Sequence, residues 1–353
     1  MSSPFIKDKG DKLPIESIIY SNYIRYDKMR ELTQYQYQSS DANELNVYID
    51  MDSVIKPLYK RALIGNASLY TSLILNLCAH IRAYYRTRHN VQTNIYIVFT
   101  DNTSKMTNTD YQFNSIPNRQ RDEVIEWNRK MLKMIVPYFP RMYYIEGHVD
   151  SAILIKNYID MRMNPYPNMI ITKDLLCWQI PAFDSNTCIF RPSKSKTDDT
   201  SFVVNQFNCI HLWIQSINNS KSDFTIPISS SLFPLYIAFT SFKEKVLPTY
   251  FSPRDAIKRI EEMICSSQIL NGYNSPDMIR NILVTSSIKL DSSDLYTRYR
   301  SIDLQTLTSI YKSYPISRDM SWNFSKIDQE SIKAINDKYF IQNPLNIIHL
   351  YNI

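Results

Sequence analysis

The stretch Leu45-Asn-Val-Tyr-Ile-Asp50-Met-Asp52 is a short β-rich run that stops abruptly on acidic residues. The pattern repeats downstream. Ser68–Arg86 carries apolar residues at helical spacing, and Asn94–Phe99 is a second strand-like run ending in Thr100-Asp101. Asp122–Val136 places Val124, Ile125, Trp127, Met131, Leu132 and Ile135 on one helical face. Met142–Ile145 then reads as a strand, Ser151–Ile159 as a helix, and Met169–Thr172 as an apolar run before Lys173-Asp174. Strands alternating with helices predict an α/β fold with a parallel sheet, because parallel neighbours need a crossover connection. Asp50, Asp101, Asp150 and Asp174 each follow a strand-like run, so the strand C-termini are expected to converge on one carboxylate-lined site.

Composition narrows the function classes. The 353 residues include 44% hydrophobic and 21% charged residues, an ordinary globular balance with ample material for a core. Glycine occurs four times, at 10, 65, 147 and 272. Walker loops, dinucleotide fingerprints and kinase glycine loops need several clustered glycines for backbone approach to phosphate, and these are excluded. Five scattered cysteines (78, 177, 188, 209, 265) form no C-x-x-C, so neither a disulfide framework nor a zinc site is expected, and a reducing compartment is. The longest apolar stretch, Ala62–Leu77, is too short and too polar to span a bilayer, and the first fifteen residues hold no apolar secretory core. A soluble, cytoplasmic protein with no membrane partner is expected. The Asn-, Ile- and Tyr-rich usage suggests an AT-rich genome of viral or phage type, for which the virion or viral factory is the corresponding location.

The net charge of +6 has an address. Between Ser53 and Thr100 there is no Asp or Glu, while Lys56, Lys60, Arg61, Arg82, Arg86 and Arg88 contribute six positive charges. Such a segment suits a polyanion, since phosphate contacts release counterions and bind without sequence preference; a solvated helix face is the plainer alternative. Arg119, Arg121, Arg129, Lys130 and Lys133 form a second cluster, diluted by Asp122, Glu123 and Glu126. Carboxylates at strand ends suit Mg²⁺ or Mn²⁺, which take oxygen ligands and neutralise charge developing on a phosphodiester. Each Asp is equally at home as a turn or N-cap residue.

Six segments in order carry a family resemblance. Val47-Tyr-Ile-Asp-Met-Asp-Ser-Val-Ile resembles the opening strand of the flap endonuclease and 5′-nuclease superfamily, which has a PIN-like fold, and Val98-Phe-Thr-Asp-Asn is similar to its second strand. Tyr111-Gln-Phe-Asn-Ser-Ile-Pro-Asn-Arg resembles the segment near the helical arch. Gly147-His-Val-Asp-Ser-Ala-Ile stands where the family has G-x-E-A-D-D-x-I, and Ile170-Ile-Thr-Lys-Asp-Leu-Leu parallels T-G-D-K-D-L-L. Phe233 to Pro248 resembles the entrance to the helix-three-turn-helix. The resemblance covers about residues 45–265 and implies metal-dependent hydrolysis of 5′ ends or flaps by two metal sites.

This chain departs from that pattern at several ligand positions. His148 stands for a Glu, Ser151 for an Asp, Thr172 for an Asp or a deletion, and Phe242 and Lys245 for an Asp pair. The first site is therefore expected to rest on Asp50, Asp101, Asp150 and Asp174, with His148 as a further ligand or a base, and the second to be largely lost. Residues 225–264 lack the glycines that the family's duplex-binding helices use. Tyr111 and Arg119 are placed to stack on bases and clamp phosphate. Two readings stay open: an active nuclease, and an inactive nuclease-fold protein serving as a nucleic-acid-binding or structural subunit of a larger assembly. The expected organisation is an extension (1–44), a PIN-like domain (45–224), a helix-three-turn-helix-like region (225–273) and a helical C-terminal subdomain (274–353). Gln342-Asn-Pro-Leu-Asn-Ile-Ile348 faintly resembles a sliding-clamp peptide without its aromatic pair.

Overall fold

The structure, a computed structural model, describes residues 43–51, 67–100, 119–162, 166–172, 174–191, 202–218, 226–240, 250–285, 292–311 and 328–339. Residues 1–42 of the expected extension, Lys56, Lys60, Arg61, Asp101, Tyr111, Phe242, Lys245 and the 342–348 peptide lie outside them, while Glu44, the last residue of that extension, opens the first strand.

Six strands form one sheet in the order β3-β2-β1-β4-β5-β6. They are β1 (Glu44–Asp50), β2 (Gln92–Thr100), β3 (Met142–Gly147), β4 (Asn168–Ile171), β5 (Thr187–Arg191) and β6 (Phe202–Val204). The first five run parallel and β6 is antiparallel to β5. The predicted α/β class with a parallel sheet between helices is what the chain adopts.

The strands are apolar on both faces because both faces are covered. Leu45, Val47, Ile49, Ile95, Ile97, Phe99, Met169 and Ile171 pack against helices α1 (Ala67–His89) and α2 (Arg119–Ile135). The alternate residues Tyr48, Tyr96, Val98, Ile145, Ile170 and Ile189 face a second core built on α3 (Ser151–Arg162), a 3₁₀ segment (Leu176–Ala182) and the helices that follow β6. In α1 the buried Leu73, Ile74, Leu77, Cys78, Ile81 and Tyr85 recur at three- and four-residue spacing, the stripe a crossover helix needs.

Two side-chain ladders pin the register on the second face. Asn94 Nδ2 donates to Asn46 Oδ1 at 3.1 Å, Asn46 Nδ2 to Asn168 Oδ1 at 3.0 Å, and Asn168 Nδ2 to Asp184 Oδ2 at 2.9 Å. Two residues further along the strands, Tyr48 stacks on Tyr96 at 4.6 Å and Tyr96 on Tyr143 at 4.7 Å. Arg162, at the end of α3, lies over the rings of Tyr96, Tyr143 and Tyr158 and donates to the Tyr96 hydroxyl. A one-residue slip would send each of these rows to the wrong face.

The later helices are α4 (Cys209–Asn218), α5 (Phe233–Thr240), α6 (Pro253–Cys265), α7 (Pro276–Thr285), α8 (Ser292–Ile302), α9 (Leu304–Tyr311) and α10 (Gln329–Tyr339). Pro253 starts α6: Ser252 Oγ accepts from the Asp255 amide, and proline fits the first turn, where its missing N–H costs nothing. Ile279, Leu283, Leu295, Tyr299, Leu304 and Leu307 belong to the same hydrophobic cluster as the sheet's second face. Gln179 bolts this helical region to the 3₁₀ segment, donating to Ile302 O at 2.8 Å and accepting from Leu304 N at 3.0 Å.

Candidate metal centre

Parallel strands bring their C-terminal ends to one edge of the sheet, and there the acidic residues meet. Asp50 closes β1, fully buried. β4 pairs with β1 through Ile49 and Ile171, so Thr172 follows directly beside Asp50. Thr172 Oγ1 donates to Asp50 Oδ2 at 2.6 Å and accepts from the Asp174 backbone N–H at 2.9 Å. Asp174 closes an Asx turn just ahead of the 3₁₀ segment, its Oδ1 accepting from Leu176 N at 3.0 Å. Asp150 caps α3 in the same way, accepting from Ala152 N at 2.9 Å.

The turn and cap role foreseen for an Asp after a strand is therefore real for Asp150 and Asp174. It leaves their charges pointed at one another. Burial, then the Asp150 and Asp50 charges, hold the Asp174 carboxyl well above the usual carboxylate range, and a hydrogen bond shared with the Asp150 carboxyl adds to the effect. Cys177 is fully buried beside them. Burial and then the charges of Asp174, Asp50 and Asp150 push its thiol well above its ordinary value. Carboxylate oxygens of Asp50 and Asp174 and the Cys177 sulfur all lie within 4.8 Å of one another. Like charges gathered this closely are stable only if protons or a cation neutralise them, and oxygen donors in such number suit a divalent cation.

The structure sorts the remaining sequence candidates. Asp101 follows the last residue of β2, outside the described residues; Thr100 pairs with Gly147, so β2 ends at the same edge. His148 is exposed in the turn after β3, and it is not among the side chains that gather with Asp50 and Asp174. Ser151, on a family ligand position by resemblance, is buried in the first turn of α3.

The basic segment requires a correction. Because α1 returns the chain from the end of β1 to the start of β2, its last turn lies at the edge opposite the carboxylates. Arg86 and Arg88 sit in that turn, where they complement the helix dipole, and Arg82 donates to Pro140 O at 2.6 Å, just ahead of β3. These three do not flank the site. The crossover through α2 has the opposite consequence: Arg119 and Arg121 occupy its first turn, at the carboxylate edge. In the same helix Arg129 is a structural residue. It is buried and paired with Glu146 of β3, whose other oxygen accepts from Lys133 at 3.1 Å.

Two members of the cluster escaped the sequence reading. Cys177 has no second cysteine nearby to mark it as a ligand, yet it lies three residues after Asp174, a spacing that puts both on one side of a helical turn. Thr172 was read as a lost ligand; it is instead the hydroxyl that orients Asp50.

The chain matches no protein-family model, and no curated protein matches it in sequence. Its structure is similar to a bacteriophage T5 5′-exonuclease with bound zinc, at TM-score 0.44 and 11% identity over 87% of this chain and 99% of that one. A mutant of the T5 5′-exonuclease gives 0.42 and 12% over 87% and 99%. A variant of the bacteriophage T5 flap endonuclease, in a pseudo-enzyme–product complex with DNA and metal ions, gives 0.44 and 10% over 88% and 100%.

Proposed function

We propose that this protein is a divergent, flap-endonuclease-like hydrolase that uses Mg²⁺ or Mn²⁺ to cleave phosphodiesters at 5′ ends or flaps of nucleic acid. The observation that carries this reading is the mutual repulsion of Asp50, Asp150 and Asp174 at the C-terminal edge of a parallel sheet, which a divalent cation would relieve. Asp101, from the neighbouring strand end, completes the proposed set. A bound divalent ion supplies Lewis acidity and a more acidic water. The chain's own residues do the rest. Thr172 holds the Asp50 carboxylate in one orientation through its 2.6 Å hydrogen bond. The backbone N–H groups of Ala152 and Leu176 anchor the Asp150 and Asp174 carboxylates through one oxygen each, which fixes where the other can point. Arg119 and Arg121, in the first turn of α2, are the proposed phosphate contacts on the same edge, and His148 is the exposed group nearest in sequence to Asp150.

A second reading is supported by Ser151 and His148, a buried hydroxyl and an exposed imidazole on positions where the resembled family has carboxylates. On that reading the chain is a nuclease-fold subunit that binds nucleic acid, or builds a larger assembly, without cutting. One experiment separates the two: Mn²⁺ titration by calorimetry alongside cleavage of a 5′-labelled flap substrate, for the wild type and Asp50→Ala. Mn²⁺ binding and cleavage that both vanish in Asp50→Ala support the hydrolase. Cleavage that survives the substitution overturns it, and metal binding with no cleavage of DNA or RNA flaps supports the subunit.

A further inference from the structure

Helices α7, α8 and α9 line a groove of 740 Å³. Two arginines meet in it from different helices: Arg280 of α7 lies 5.7 Å from the Tyr296 ring centroid and Arg300 of α8 lies 5.9 Å from the same ring. Both guanidiniums are exposed, and among the described side chains neither is in an ion pair. The groove also carries an apolar wall, Val284 at 61% and Ile310 at 51% exposure. Asp277 is its single carboxylate, so the lining is net positive.

This combination selects its ligand by chemistry. Arginines held over an aromatic ring lose less freedom on binding, and their planar forks match phosphate oxygens. Exposed apolar side chains beside them favour a flat apolar surface, which the faces of unpaired bases provide; a duplex keeps those faces stacked inside. We infer that the α7–α9 groove is a binding site for single-stranded nucleic acid, with Arg280 and Arg300 on the phosphodiester backbone and a base lying against Val284 and Ile310. The site rests on the nucleic-acid reading above, and is independent of hydrolysis. It gives a strand engaged near the carboxylates a second anchorage on the helical region.

The test is fluorescence anisotropy of a 20-nucleotide single strand and a duplex of equal length, with the full chain in EDTA so that no cleavage intervenes. Arg280→Glu/Arg300→Glu is expected to weaken single-strand binding on the order of tenfold at low salt. Arg280→Gln/Arg300→Gln is expected to flatten the log K against log salt slope by about 1.4, two phosphate contacts at about 0.7 each. Val284→Ser/Ile310→Ser should lower single-strand affinity and leave duplex affinity unchanged. Lys258→Glu, at an exposed charge on α6, changes the net charge by as much as the double glutamine variant and is its control for net charge alone. Wild-type affinity in both arginine variants, equal losses in the Lys258 control, or no binding of the single strand by the wild type overturns the inference. Binding that behaves as expected in a chain that never cleaves would refute the hydrolase and leave this site standing.

Discussion

Thr172 Oγ1 sits 2.6 Å from Asp50 Oδ2, joining the ends of β4 and β1 through a hydroxyl that also accepts the Asp174 amide. An uncharged side chain thus holds two acidic residues in a fixed relation. Outer partners of this kind tune metal affinity because they decide where a ligand's lone pairs point.

Replacing Thr172 with valine keeps the shape and removes the donor. Mn²⁺ affinity is expected to fall about 10- to 100-fold while the fold persists. Calorimetry and circular dichroism on the same sample check this; unchanged affinity would show that the hydroxyl does not position Asp50.

Asp174 makes stability depend on pH in an unusual direction. Its folded carboxyl holds its proton to a higher pH than the unfolded chain does, so between the two values the folded state binds more protons and stability falls as pH rises. In EDTA, therefore, the chain should be more stable at mildly acidic than at neutral pH through this group. Asp174→Asn, neutral at all pH, should melt higher than the wild type at neutral pH and lose that dependence. Mn²⁺ should raise the melting temperature of the wild type and do little for the variant. Thermal melts from pH 4 to 8 read all three.

Gly147 ends β3 where a side chain has no room: a Cβ there would stand 2.4 Å from Leu154 Cδ2, in the fully buried first turns of α3. Gly147→Ala should cost about 1–3 kcal/mol through overpacking, and Leu154→Ala alone about 2–5 kcal/mol through the cavity. The double variant should cost less than the sum, because the new methyl enters the vacated space. A denaturant double-mutant cycle measures the coupling, and strict additivity would mean that the two positions do not touch.

Thiol chemistry provides a separate check on the core. Cys78, Cys177, Cys188 and Cys209 are buried and Cys265 is exposed. Burial raises the first four away from the reactive thiolate, most evidently Cys177 with its acidic neighbours. The native chain should therefore react with an aromatic disulfide reagent at Cys265 alone, and the unfolded chain at all five positions. Fast labelling of Cys177 in the native chain would contradict the cluster described here.

Much of the fold was legible because periodicity is a local property. The strand and helix alternation from Leu45 to Thr172 was readable from apolar spacing, with ends displaced by a few residues as helical turns extend beyond their apolar stripe. β5 was not read, since Thr187–Arg191 is a five-residue run whose burial comes from pairing with β4. Proline breaks a helix interior but opens a helix start, and which applies at Pro253 depends on the cap at Ser252. Only the Asp174 spacing marks Cys177 in the sequence, and its approach to Asp50 depends on the pairing of β4 with β1.

Alternation and chain order are one-dimensional facts, so the class of fold and the identity of the acidic residues at the strand ends are legible without coordinates. Tertiary structure decided which charges share an edge. A crossover helix reverses direction, so Arg86 and Arg88, few residues from β2 in the chain, fall at the far edge from Asp50, whereas Arg119 and Arg121 fall near it. The same three-dimensional pairing set Thr172 against Asp50 across 122 residues and pressed Asp174 against Asp150, turning isolated turn residues into one electrostatically strained cluster. Charge repulsion acts through distance in space, and only the folded chain sets that distance.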